Sequence, residues 1–258
     1  MKTPTEQQNG IVAILDALGA ASYSDAEVER FMQSRENVLR ILNEKIEVIH
    51  GSIESGRITT FTFNDTILLV LKCETHEPNL YDIVSFSLLI GKFLVDSMQH
   101  GILFRGSISI GSFYMNESAN TVMGQAVTDA AAWYDKADWI GIHATPHATI
   151  VIQQWIEYST KKMDKPIHEK FPPRIFADIV SDLMIDYDVP LNDVKTVRVK
   201  AVNWPKFNFS PEEEPKGKLL KFLAMHRIPR GTESKYYNTI TFFDQAVKEE
   251  MKKKSSSA

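Results

Sequence analysis

The chain has almost no cysteine: Cys73 stands alone in 258 residues. One thiol excludes an internal disulfide and a cysteine-based zinc site. Beside an apolar, β-branched run it reads as a packing residue. An excess of positive charge is also missing. The net charge is −4, so no global basic field favours nucleic acid as a partner. The longest apolar run, residues 83–95, is interrupted by Lys92 and is too short to span a bilayer. The first ten residues are polar, without the basic-then-apolar order of a leader. These absences point to a cytoplasmic protein with no membrane or nucleic-acid partner. There is no Gly-x-x-x-x-Gly-Lys-Ser/Thr loop and no Gly-x-Ser-x-Gly elbow, which removes P-loop and serine-hydrolase chemistry. Three lysines near the end are too few for a nucleic-acid arm and read as a solvated tail.

What remains is a globular composition, 43% hydrophobic and 24% charged, long enough for one large domain or a domain with an extension. Residues 11–15 form an apolar run ending at Asp16, the pattern of a buried central strand. Ser24 and Glu27 have capping-box spacing and open a long helix, which Gly51 and Gly56 end. Residues 58–71 read as a hairpin whose two-residue turn is Asn64-Asp65, both tolerant of positive φ. A second helix spans 79–100 and stops at Gly101. A glycine-containing strand follows at 103–114, a loop at 116–120 and an alanine-rich helix at 124–139. Residues 149–155 are apolar and β-branched and predict a strand. His143 and His147 have i, i+4 spacing, but Pro146 between them predicts two loop histidines rather than a metal pair. Further on, Pro172-Pro173 leads into a helix at 174–187. A strand is expected at 196–202, an acidic loop at 212–215, and helices at 219–225 and 238–253.

Two carboxylates stand out, Asp16 at a strand end and Asp65 at a hairpin tip. If the first strand lies beside the hairpin, the two meet at one sheet edge. Like charges so placed repel and are held together by cations. Oxygen donors at a solvated edge favour Mg²⁺ or Mn²⁺. Two such ions can activate an oxygen nucleophile and neutralise a triphosphate.

Four stretches in order resemble the class III nucleotide cyclases, the adenylate and guanylate cyclase catalytic domains. Asp16-Ala17-Leu18-Gly19-Ala20 is similar to their Asp-Ile-x-Gly-Phe, and Asn64-Asp65 to their Gly-Asp hairpin tip. Phe104-Arg105-Gly106-Ser107-Ile108-Ser109-Ile110-Gly111 resembles their Arg-x-Gly-Ile-x-x-Gly strand. Residues 124–132 keep Gly124, Val127 and Ala130 of a Gly-x-x-Val-Asn-x-Ala-x-Arg helix. The resemblance implies an α+β fold, a ferredoxin-like or palm-type antiparallel sheet with helices packed on it. It implies a core at 11–158, a C-terminal α/β extension at 159–250, a flexible start at 1–10 and a disordered tail at 251–258. Asp16, Asp65 and the backbone carbonyl of Ala17 would hold two Mn²⁺ or Mg²⁺ ions. Leu18, Gly19 and Ala20 would lie near the triphosphate, and the enzyme would work as a head-to-tail homodimer.

The departures shape the substrate expectation. The family's transition-state Asn and Arg fall on Thr128 and Ala132, so Arg105 or Lys136 would have to supply charge. The purine-reading positions fall on Phe61 and Thr121, which cannot reproduce charged purine contacts. A ring at position 61 suits stacking on a single-ring base. The chain therefore looks most like the bacterial Pycsar pyrimidine cyclases, with UTP favoured over CTP. In those antiphage systems the cyclic product activates a separate effector, without direct contact between the proteins. Three readings stay open beside it: an inactive cyclase-like domain that binds a nucleotide or protein, a purine cyclase, and another palm-type nucleotidyl transferase.

Overall fold

The structure, a computed structural model, describes residues 7–19, 24–50, 58–73, 77–161, 173–193, 195–207, 215–225 and 231–256. The expected breaks at Gly51 and Gly56, residue Pro172, the loop at 212–214 and Ala20 lie outside them. Eight strands form one sheet: β1 (Gln7–Ala17), β2 (Ile58–Phe63), β3 (Thr66–Cys73), β4 (Phe104–Asn116), β5 (Thr121–Met123), β6 (Gly141–Ala144), β7 (Met184–Pro190) and β8 (Thr196–Val202). Their order is β2-β3-β1-β4-β6-β8-β7, with β5 paired to β4 off this path. Every pairing is antiparallel except β4 with β6. The helices are α1 (Asp25–His50), α2 (Leu80–Gln99), α3 (Gln125–Trp133), α4 (Pro146–Lys161), α5 (Pro173–Leu183), α6 (Pro215–Ala224) and α7 (Glu233–Ser256). The architecture is α+β, as expected. β8 pairs with β6, so residues beyond 158 extend the same sheet.

β1 lies at the centre because its apolar run can be buried on both sides. Ile11, Val12, Ala13 and Leu15 are fully buried. Alternate residues face opposite ways. Ile11, Ala13 and Leu15 join the large core shared with α1, α2, α4, α5, α6 and α7. Val12 and Ile14 join a smaller cluster with Phe61, Val70, Phe113, Met115 and the α3 residues Ala126 and Ala130. The close pairing of β1 and β4 requires Gly106: a Cβ there would collide with the Ile14 carbonyl oxygen.

Local chemistry sets the element ends. Glu27 accepts from the backbone N–H and hydroxyl of Ser24 at 2.8 and 2.6 Å, which supplies the Glu27 half of the capping box expected for α1. Asn79 and Asp82 form a second box at the start of α2, and Gly101 ends that helix with a φ of 81°. α7 docks through Phe242, whose ring meets Trp139 and Tyr187 edge-on at 4.6 and 4.9 Å. Such pairs add roughly 0.5–1.5 kcal/mol beyond burial.

Several expectations fail for identifiable reasons. Residues 149–155 are not a strand but the middle of α4. Ala148 and Ile152 are fully buried and Ser159 nearly so, at helical spacing, and the Thr145 hydroxyl accepts from Ala148 N–H at 3.2 Å. Packing at that period overrides the strand preference of Ile150, Val151 and Ile152. Pro146 opens α4 rather than breaking a helix, since a first helical position needs no N–H donor. The two histidines are therefore not in loops: His143 is on β6 and His147 in the first turn of α4. The helix expected to reach 139 stops at Trp133, because Ala137 bridges to Leu191. The helix expected through 187 ends at Leu183 and runs straight into β7. β1 begins at Gln7, inside the stretch expected to be loose, and α7 continues to Ser256, inside the expected tail.

His143 has no exposed surface. Its ring meets Trp133 edge-on at 6.4 Å. Burial lowers its pKa to about 4, with the Gly106 backbone acting weakly the other way and no regular hydrogen bond to either ring nitrogen. The fold thus accepts the neutral ring. Its contribution is complete above the ordinary value of 6.5 and is lost as pH falls toward 4, by at most about 3 kcal/mol. Urea unfolding from pH 7 to 4.5 is expected to show this decline, and His143→Leu to flatten it.

Candidate active site

The C-terminal end of β1 brings the two predicted carboxylates together. Asp16 is in register with Thr66 on one side and Arg105 on the other. Phe63 pairs with Thr66, so Asn64 and Asp65 form a two-residue turn. Asn64 takes the positive φ, 50°, while Asp65 does not. The Ala17 N–H donates to the Asp65 carbonyl at 3.2 Å, fixing the hairpin tip against the end of β1.

Asp16 is held on both oxygens. Thr66 Oγ1 donates to Oδ1 at 3.3 Å. Nε and Nη2 of Arg105 both donate to Oδ2 at 3.2 Å. Arg105 Nη1 donates to the Asp135 carbonyl at 2.9 Å. The Asp16 and Arg105 side chains are 16% and 19% exposed. Burial raises the Asp16 pKa above the ordinary carboxylate value; Arg105 lowers it, and the nearby Asp65 charge raises it again. The net direction is upward, so the fold favours protonated Asp16, and that preference is lost as pH rises through the raised value. An ionised Asp16 is a cost at neutral pH that a bound cation would remove.

Sequence reasoning missed three contributors. Thr66 follows the predicted Asp65 and is legible only once the hairpin register is known. The Asp135 carbonyl is a backbone group with no side-chain signature. Tyr134, at the end of α3, has its pKa raised by burial first, then by Asp135 and Asp16, and by Asp65 after Arg105. The charges of both predicted acids are therefore felt at its hydroxyl. An aromatic residue within the alanine-rich stretch 124–139 was its one available signal.

A cavity of about 330 Å³ adjoins the carboxylate edge. Phe61 and Thr121, expected to read the base, both line it, with Ile14, Thr66, Leu68 and Val122. Thr66 therefore touches both the cavity and Asp16. Phe61 is 8% exposed. Thr121 already donates its hydroxyl to the Ala119 carbonyl at 2.9 Å. α3 is held over the sheet by Asp129, which accepts from Ser109 and Thr145 at 2.7 and 2.5 Å.

The other predicted residues fall less tightly. Leu18 N–H donates to the Leu103 carbonyl at 2.8 Å, and Gly19 turns the chain with a φ of 87°. Ala20 lies outside the described residues. Lys136 sits on the face of Trp133, 4.7 Å from the ring centroid, rather than on either carboxylate. Thr128 and Ala132 are exposed on α3.

The donor set suits a hard divalent cation: two carboxylates from neighbouring strand ends at a part-exposed edge, one with a pKa raised chiefly by burial and further by the other's charge. Among the described residues no group of three or more His, Cys, Asp or Glu gathers, so backbone carbonyls and water would complete the coordination. Arg105 already shares Asp16 and is an internal counter-charge.

No protein-family signature matches the chain, and no curated protein does. Among solved structures, the chain is similar to the adenylyl cyclase CyaB from P. aeruginosa, at 12% identity over 78% of this chain and 96% of that one, with a TM-score of 0.41. It is also similar to the catalytic core of a rhodopsin-guanylyl cyclase with converted specificity, in complex with ATPαS, at 12% identity over 78% and 98%, with a TM-score of 0.41. Among the described residues no helix is long and apolar enough to cross a membrane.

Replacing Asp16 by Asn is expected to raise the thermal unfolding midpoint at pH 7, because the fold favours the neutral form. Asp65→Asn is expected to lower the Asp16 pKa, read by carboxyl ¹³C titration. A lower midpoint for Asp16→Asn would mean that the Arg105 pairing outweighs burial.

Proposed function

We propose that the protein is a nucleotide cyclase acting on a pyrimidine nucleoside triphosphate, UTP in preference to CTP. The observation behind this reading is one continuous edge: Asp16 and Asp65 at one end, the cavity of Phe61 and Thr121 at the other, and Thr66 touching both. In the reaction the ribose 3′-oxygen attacks the α-phosphorus and the bond to the pyrophosphate oxygen breaks. The 3′-hydroxyl proton goes to solvent, and the 3′,5′-cyclic monophosphate and pyrophosphate leave.

Asp16, Asp65 and the Ala17 carbonyl would hold Mg²⁺ or Mn²⁺, two per site, which when bound supply charge neutralisation and activation of the attacking oxygen. Arg105 offers a guanidinium hydrogen-bonded to Asp16; once Asp16 is otherwise neutralised, its Nε and Nη2 donors would be free to face the triphosphate. Lys136 remains a second candidate cation. Leu18 and Gly19 turn the backbone beside the carboxylates, where phosphates would approach, and Ala20 follows them in the sequence. The cavity's walls are mostly apolar, with uncharged polar side chains from Thr62, Thr66, Asn120 and Thr121. Such walls stack a base and lack the charged groups that read a purine edge. Catalysis is then positioning and charge stabilisation.

The same reading includes a head-to-tail homodimer, cytoplasmic location and a signalling role in bacterial antiphage defence, the product acting on a separate effector. One observation favours an inactive, ligand-binding domain instead: the α3 positions Thr128 and Ala132 carry no group able to stabilise transition-state charge. A purine cyclase fits the carboxylate edge equally and differs in the base that the cavity accepts.

Incubation with each of the four ribonucleoside triphosphates and Mn²⁺ is expected to release pyrophosphate from UTP or CTP. Turnover of ATP or GTP alone would replace the pyrimidine reading with the purine one. Binding without turnover would leave the inactive domain. Asp16→Ala and Asp65→Ala are each expected to lower turnover by on the order of 10²–10³-fold, and unchanged activity would remove the cation assignment. Phe61→Ala is expected to raise KM by about tenfold, the loss of one stacked base.

A further inference from the structure

The carboxy-terminal third of the chain reaches the carboxylate edge through an unbroken series of hydrogen bonds. Arg105 Nη1 donates to the Asp135 carbonyl at 2.9 Å, and the same oxygen accepts from Asn192 Nδ2 at 2.8 Å. Asn192 lies in the turn between β7 and β8, and its backbone N–H donates to the Lys136 carbonyl at 2.9 Å. Its side-chain Oδ1 accepts from Lys235 Nζ at 3.2 Å. Lys235 is on α7, 6% exposed, and also donates to Asp138 Oδ1 at 2.7 Å. Asn238, one turn further along α7, donates to the Asp138 carbonyl at 2.6 Å and to Oδ2 at 3.1 Å.

Each link has a physical reason. A carbonyl oxygen has two lone pairs, and at Asp135 Arg105 and Asn192 take both. Residues 134–136 form a turn rather than helix or strand, so no regular backbone ladder fixes where that carbonyl points. Asn192 fixes it from outside. The Asn192 amide has one orientation that satisfies both neighbours: oxygen toward the ammonium, nitrogen toward the carbonyl. The ammonium that enforces it is buried and paired to Asp138, which makes it a well-placed anchor.

We infer that Asn192, oriented by Lys235, is a positioning residue for Arg105, so that β7, β8 and α7 complete the site rather than merely cover the sheet. This rests on the reading that Arg105 works at the Asp16–Asp65 edge. Asn192 touches neither carboxylate and acts through the Asp135 carbonyl. The guanidinium is then held at three of its nitrogens, in the plane that Asp16 and the Asp135 carbonyl define.

The test uses the full chain with Asn192→Asp, Asn192→Ala, Arg105→Lys and the double variant Asn192→Asp/Arg105→Lys. Asn192→Asp separates positioning from folding: its carboxylate keeps the Lys235 partner but cannot donate to the Asp135 carbonyl. Its unfolding midpoint is expected to match or exceed that of the parent. In ¹H–¹⁵N spectra, the Arg105 Nε–Hε signal is identified by its loss in Arg105→Lys. It is expected to shift in both Asn192 variants and to exchange with solvent about tenfold faster. Lys195→Ala, an exposed change in the same turn, is expected to leave it alone. In turnover assays Asn192→Asp is expected to lower kcat about tenfold with KM little changed, and to cost nothing further once Arg105 is Lys. An unmoved Arg105 signal, or losses that multiply in the double variant, would overturn the inference. If the parent turns over no nucleotide, the proposed function fails while the spectra still decide the positioning claim.

Discussion

The register of β1 between β3 and β4 is the constraint on which the rest depends. Side chains alternate along a strand, so a slip of one residue would exchange its two faces. Ile14 would then enter the large core, and Asp16 would turn away from Thr66 and Arg105. The apolar pattern forbids this, because Ile11, Ala13 and Leu15 fill one core while Val12 and Ile14 fill the other. Gly106 locks the same register sterically, at the one place where β4 must press against Ile14. Burial energy spent on six or so apolar side chains thus fixes the position of one carboxylate. The chemistry at the edge inherits its precision from the packing behind it.

The two faces of the sheet serve different ends. One is covered by six helices and supplies the large core. The other carries α3 and the smaller cluster, and the β1–β3 end is where the cavity opens. α3 is the crossover that the parallel β4–β6 pair requires. The turn after it delivers the Asp135 carbonyl to Arg105, the partner of Asp16. The turn between β4 and β5 delivers Thr121 to the cavity. Every group at the site is therefore placed by a rigid element or by a turn tied to one, as close positioning demands.

Much of this was legible in the sequence where a local signal existed. The hairpin followed from its β-branched flanks and two-residue turn, α2 from its apolar side and Gly101, and β8 from its alternation. The carboxylate pair followed from an apolar run that ends in Asp16 and a hairpin turn that carries Asp65. What was not legible arose from tertiary context. α4 reads as a strand locally, because Ile150, Val151 and Ile152 are β-branched; burial at helical spacing decides otherwise. β6 is four residues long and lies between a turn and a helix-opening proline, too short to show a period. Thr66 and Asp135 contribute through register and backbone, which composition does not encode. Lys136 looked available as a free cation, yet Trp133 holds it. Charge in a sequence shows that a cation exists, and packing shows what it faces.

The parallel pairing of β4 with β6 has a consequence for how the protein comes into being. Parallel strands cannot pair until their crossover is made, and long-range pairings of this kind are slow to form. The residues at the edge come from positions 16, 65, 105 and 135, with 192 and 235 behind them. No shorter emerging segment contains them all. On the ribosome, therefore, the two acids are synthesised long before the groups that restrain their guanidinium partner. The hydrogen-bonded series behind the edge is complete only when α7 has docked, so it is a property of the whole sequence and not of its first half.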